Sequence, residues 1–187
     1  MNRRQYLNSF VGLGILSLTP SWLLQSQSIM KRKIPSTGEA LPVIGLGTWQ
    51  TFDVGKSESE RNPLMEVLKQ LVEQHGSVVD SSPMYGRSEK VVGDISTALN
   101  INDKLFMATK VWTSGKDAGI SQMNTSFRLM QRKQMDLMQI HNLMDWQSHL
   151  PTLRDWKAEG KIRYLGITTS HNPSPMGSSA SWSCPRR

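Results

Sequence analysis

Four side chains able to move protons stand at or just beyond the ends of short apolar runs. Asp80 follows Val78-Val79, Lys110 follows Leu105-Phe106-Met107-Ala108-Thr109, His141 follows Met135 to Ile140, and Tyr85 lies on the Pro-broken loop after Asp80. Taken singly, Asp80 reads as a helix-capping acid and Tyr85 as a packing residue. The runs are separated by helical stretches, however, which is the βαβ pattern of a parallel sheet. Consecutive parallel strands place their C-terminal ends on one side, so acid, cation, phenol and imidazole are expected to converge there as a proton-transfer site.

The elements that must position this set can be taken in order. Pro35-Ser36-Thr37-Gly38-Glu39 supplies a turn between Lys33-Ile34 and Leu41-Pro42-Val43. A first strand is expected over Val43–Gly47, where the Gly45-x-Gly47 pair leaves room for close approach to the backbone. Between Gly55 and Gly76, Leu64, Val67, Leu68 and Leu71 recur at helical spacing, with Pro63 expected in the first turn and Gly76 as the stop. His75, beside that stop, reads as structural. Further helices are expected from Ser88 to about Asn100, burying Val91, Val92 and Ile95, from Ser121 to Gln131, burying Met123, Phe127 and Met130, and from His149 to Glu159. Arg163 to Thr169 forms the fifth strand.

These residues carry a specific resemblance. An Asp, a Tyr-Gly five residues later, and Lys and His ending the next two strands resemble the catalytic tetrad of the aldo-keto reductases, as Asp80, Tyr85, Lys110 and His141. Ile44-Gly45-Leu46-Gly47-Thr48-Trp49, Thr109-Lys110-Val111-Trp112 and Lys161-Ile162-Arg163-Tyr164-Leu165-Gly166-Ile167 extend the likeness over roughly residues 33 to 170. The resemblance implies a (β/α)8 TIM barrel, of which about five of eight units are present, with an N-terminal β-hairpin plugging the barrel bottom. It implies NADPH (or NADH) as cofactor and an aldehyde or ketone as substrate, with Tyr85 protonating the oxygen. A phenol, titrating near 10, needs a neighbouring cation to exchange protons near neutrality, which would be Lys110, itself held charged by Asp80. His141 would orient the carbonyl oxygen. Gly47, Thr48, Trp49, Thr168 and Thr169 would contact cofactor; the last two stand where the family has Ser and Asn, and Thr169 cannot offer an amide's donor and acceptor together. Trp49 and Trp112 either line the substrate mouth or pack the barrel rim.

Length and charge bound the remainder. A chain of 187 residues is shorter than the roughly 250 of a complete barrel. Seven of the 22 Lys and Arg are Arg3, Arg4, Lys31, Arg32, Lys33, Arg186 and Arg187, leaving a body balanced at 15 positive and 15 negative residues. That distribution argues against nucleic-acid binding, which uses a clustered basic face. The single cysteine, Cys184, allows no internal disulfide, and the four scattered histidines give no metal-ligand spacing. Arg3-Arg4-Gln5-Tyr6-Leu7 and the apolar stretch from Phe10 to Leu24, broken at Pro20, have the shape of an export signal of twin-arginine type. Residues 1–28 are therefore expected to send the protein to the periplasm without stable membrane insertion. Residues 29–171 are expected to form the incomplete barrel, and 172–187 a disordered or out-of-frame tail. Three functions are compatible with this sequence: a carbonyl reductase, a catalytically incompetent fragment of one, or a non-catalytic binding module of the same fold. With strands six to eight absent, little reductase activity and self-association through open sheet edges are expected.

Overall fold

A computed structural model describes residues 29–170. The export segment and the tail expected from the sequence lie outside these residues. Strands β1 (Lys31–Lys33) and β2 (Ala40–Pro42) pair antiparallel as a hairpin. Five further strands form one all-parallel sheet in chain order: β3 (Leu46–Gly47), β4 (Val78–Asp80), β5 (Phe106–Val111), β6 (Met135–His141) and β7 (Ile162–Thr168). The crossovers are α1 (Glu58–Glu73), α2 (Ser88–Ala98), α3 (Lys116–Leu129) and α4 (Trp146–Ala158). This is an α/β partial barrel with an N-terminal hairpin.

Period-two alternation divides the strands between two faces. Val79, Met107, Val111, Met138 and Ile140 point outward into the main core, where they meet Val91, Val92 and Ile95 of α2, Met123 of α3 and Leu153 of α4. The opposite face carries Asp80, Lys110, Gln139 and His141, in register with Gly166 and Thr168 of β7. At the strands' N-terminal ends the hairpin is fastened by charge. Arg163 of β7 bonds Glu39 and reaches Asp136 Oδ1 at 2.7 Å, while Asp136 Oδ2 takes Arg132 at 3.0 Å and the Met107 N–H at 2.8 Å. Hydrogen bonds from Arg163 and Tyr164 hold the Glu39 carboxyl below its ordinary range.

Several boundaries differ from the sequence expectation. The first strand is only Leu46–Gly47, because Val43 donates to Met30 O and so prolongs the hairpin. Pro63 lies in the second turn of α1, not the first, since the polar residues before it are already helical. The stop of α1 is His75 rather than Gly76. His75 takes the left-handed conformation (φ 62°), while its N–H and that of Gly76 return to Val72 O and Leu71 O. Gly76 is required for a different reason, since a Cβ there would fall 2.5 Å from Leu71 Cδ1. Helix α3 begins five residues before Ser121, at Lys116. Its early Gly119 serves packing: an added Cβ would meet the buried His149 ring at 2.5 Å. Helix α4 likewise starts at Trp146, after Asp145. Among the described residues no helix is long and apolar enough to cross a membrane, and no cluster of three potential metal ligands occurs.

Candidate active site

The site grows from the C-terminal ends of β4, β5 and β6. Lys110, with a side chain 4% exposed, places Nζ 2.6 Å from Asp80 Oδ2 and 2.7 Å from the Ser81 carbonyl. A buried ammonium needs this compensation, since desolvation of an unpaired charge is costly. The other Asp80 oxygen, Oδ1, accepts from Gln139 Nε2 at 3.0 Å. Lys110 Nζ also lies 5.1 Å from the Tyr85 ring centroid, a cation over an aromatic face. Among the described residues its hydrogen bonds go to Asp80 and Ser81, and none reaches the phenol oxygen. Tyr85 is held by its backbone, its N–H donating to Ser82 O and its carbonyl accepting from Ser88 N–H at the start of α2.

His141 is the next residue after Gln139 on the same face of β6. Its Nδ1 hydrogen-bonds Thr168 Oγ1 at 2.7 Å, and its ring meets Trp112 edge to face, with centroids 6.3 Å apart. Trp112, 40% exposed, is fixed by a reciprocal clamp: its N–H donates to Gln122 Oε1 at 2.7 Å, and its carbonyl accepts from Gln122 Nε2 at 3.2 Å.

The other residues singled out from sequence fall around this centre with differing engagements. Gly47 pairs with Asp80 in register, and a Cβ at Gly47 would meet nothing within 4 Å, so the space beside it is open. Thr48 is fully buried; its hydroxyl hydrogen-bonds Asp80 O and Ser81 Oγ and so points into the fold. Thr168 is committed to His141, whereas Thr169 is exposed. Trp49 is 64% exposed and makes no ring contact with the tetrad among the described residues.

Sequence reasoning passed over Gln139, Gln122, Ser81 and Glu89. Glu89 is 2% exposed in the first turn of α2; one of its oxygens accepts from Thr109 Oγ1 and the other from Ser126 Oγ at 3.1 Å. Burial raises its carboxyl above the ordinary value, against the pull of those two hydroxyls and the charge of Lys110. The glutamines carry no motif. The parity that puts Gln139 on the face of His141 was the available signal for it.

An acid–ammonium pair beneath a phenol, with an imidazole beside it, is an arrangement for moving a proton to or from an oxygen. Residues 43–176 match the model of the aldo/keto reductase family. Methylglyoxal reductase YeaE of Escherichia coli (strain K12) is 29% identical over 147 residues, 75% of this chain and 50% of its own length. Methylglyoxal reductase DkgA of Yersinia pestis is 29% identical over 140 residues, 73% of this chain and 48% of its own. The crystal structure of an aldo/keto reductase from Klebsiella pneumoniae in complex with NADP and acetate shares 30% identity and a TM-score of 0.58, over 70% of this chain and 46% of that one. The chain spans about half the length of the curated relatives it matches. The family match, over most of the described sheet and all four strand-end and loop residues of the site, shows that this chain belongs to the aldo/keto reductase family.

Proposed function

We propose that the chain carries the proton-transfer centre of an NAD(P)H-dependent reductase of small aldehydes and ketones, with Tyr85 as proton donor. The observation that carries this reading is the 2.6 Å Asp80–Lys110 pair set under the Tyr85 ring. The methylglyoxal reductases among the relatives favour a small 2-oxoaldehyde as substrate, and the NADP-bound Klebsiella structure favours NADPH. The open space beside Gly47, next to Asp80, leaves room for a cofactor to approach the strand ends. When bound, NADPH supplies the hydride that adds to the carbonyl carbon. Tyr85 gives its proton to the carbonyl oxygen as negative charge gathers there, and the resulting phenolate is balanced by Lys110 until solvent returns a proton. His141, its Nδ1 engaged with Thr168 on the same face, would orient the oxygen. Trp112 supplies an apolar wall beside that imidazole.

A second reading is favoured by the sheet itself. Strands β3 and β7 each have one neighbour among the described strands. Self-association through these two edges, with cofactor held weakly, is the behaviour this reading expects. Fluorescence titration of the full chain with NADPH, followed by assay with methylglyoxal and a panel of aldehydes, separates the two. Micromolar binding with turnover supports the reductase, while absent binding by a folded but oligomeric protein supports the second reading.

Export is part of the same proposal. Arg3-Arg4 ahead of a short apolar run suits a route that carries folded proteins, as a cytoplasmic cofactor would require. A reporter fused to residues 1–28 should reach the periplasm and stay behind when both arginines become Lys; export unaffected by that change contradicts the assignment.

A further inference from the structure

We propose that Gln139 is a positioning residue for the catalytic pair, acting through Asp80 to fix where Lys110 places its charge; this rests on the reductase reading above. Three observations carry it. First, the two Asp80 oxygens are divided: Oδ2 faces Lys110 Nζ at 2.6 Å and Oδ1 faces Gln139 Nε2 at 3.0 Å, so the amide fixes the rotation of the carboxylate. Second, Gln139 is 8% exposed, and its hydrogen bond to Asp80 is the one its amide makes among the described residues. A buried amide spent on one carboxylate oxygen is an expensive way to fill space where Leu or Met would pack as well. Third, the fold makes room for it. Lys110, Gln139 and Gly166 form one row across β5, β6 and β7, and a Cβ at Gly166 would meet Gln139 Cγ at 3.5 Å and Leu137 Cδ1 at 3.3 Å.

The choice of an amide has a chemical consequence. A cation at this position would compete with Lys110 for Asp80, and a second carboxylate would repel it; a neutral donor orients the acid and leaves its charge to the ammonium. Lys110 in turn spends hydrogen bonds on Asp80 and the Ser81 carbonyl, so the position of its nitrogen under Tyr85 follows from where Asp80 Oδ2 is held. Removing the amide frees Asp80 to rotate about its side chain and loosens the ammonium without deleting either charge.

The test reads Lys110 directly and does not need turnover. In the 15N-labelled full-length chain, the Lys110 ammonium signal, identified by its loss in Lys110→Met, should exchange its hydrogens slowly with water. In Gln139→Met, close in size but without the donor, exchange should speed by on the order of tenfold or more. Gln139→Glu, isosteric, should exchange fast at neutral pH and slow again as acid returns a donating proton to the new carboxyl. An unchanged Lys110 exchange rate in either variant overturns the proposal, as does the lack of a slowly exchanging Lys110 signal in the wild type. In the reductase assay Gln139→Met should lose kcat while NADPH affinity stays within about twofold, the split expected of a residue that positions chemistry and not cofactor. A wild type without turnover would count against the reductase reading alone, since the ammonium measurement stands without it.

Discussion

At the scale of single residues, the centre is built by distributing the oxygens of two acids. Asp80 divides its oxygens between an ammonium and an amide, and Glu89 divides its own between two hydroxyls on β5 and α3. The difference in partners sets a difference in behaviour with pH. Glu89 is raised above its ordinary value of 4.5 chiefly by burial. A carboxyl raised on folding binds its proton more tightly in the folded chain, so the folded state suffers no penalty below the unfolded value and loses stability as pH rises through the raised one. Glu89→Gln should remove that dependence. Urea midpoints measured from pH 4 upward should fall in the wild type relative to the variant, and the gap should close at the acid end. Equal curves would mean that Glu89 is not penalised by its burial. The placement of Asp80, Tyr85, Lys110 and His141 was legible in sequence because each ends an apolar run or follows one at fixed spacing. Gln139 and Glu89 were not, since a glutamine and a helix-start glutamate are ordinary surface types, and only strand parity and tertiary contact put them inside.

At the scale of elements, the helices are spaced by glycines that permit close approach. Gly93 of α2 lies against the end of α3: a Cβ there would come 2.1 Å from Leu129 O and 2.9 Å from Met130 Cα, both backbone. Backbone cannot turn aside as a side chain can, so Gly93→Ala must separate α2 from α3. It should cost ~1–3 kcal/mol, read as a lower urea midpoint with unchanged slope. A neutral substitution would show that the two helices slide apart freely. Gly119 against His149 and Gly76 against Leu71 follow the same rule of close approach. This is why α3 begins earlier than its apolar pattern indicates: Lys116 to Ile120 lacks the periodicity of Met123, Phe127 and Met130, and a glycine within it resembles a break. By contrast β6 matched expectation at both ends, because its run is buried almost throughout on both faces. Short β3 could not be bounded from its residues, since the hydrogen bond from Val43 to Met30 that hands it to the hairpin is tertiary information.

At the scale of the whole molecule, the parallel order of β3 to β7 is what turns a list of residues into a site. Every crossover returns the chain to the same starting side, so the ends of β4, β5 and β6 gather Asp80, Lys110 and His141 without any long loop, and the turn after β4 brings Tyr85 over Lys110. The polar face they share is backed by an apolar one, so packing against the helices and chemistry at the strand ends are served by alternate residues of the same strands. The opposite ends are closed by the hairpin, through Glu39, Arg163 and Asp136. The most direct test of the account is steady-state oxidation of NADPH by the full chain with methylglyoxal, compared between wild type and Tyr85→Phe at saturating cofactor. Against the sequence expectation of little activity, Tyr85 as proton donor in a working site predicts turnover by the wild type and a loss of roughly 10²-fold or more in kcat for the variant, which keeps the ring over Lys110 but has no proton to give. Turnover by Tyr85→Phe at the wild-type rate, or none by a folded wild type that binds NADPH, would contradict it.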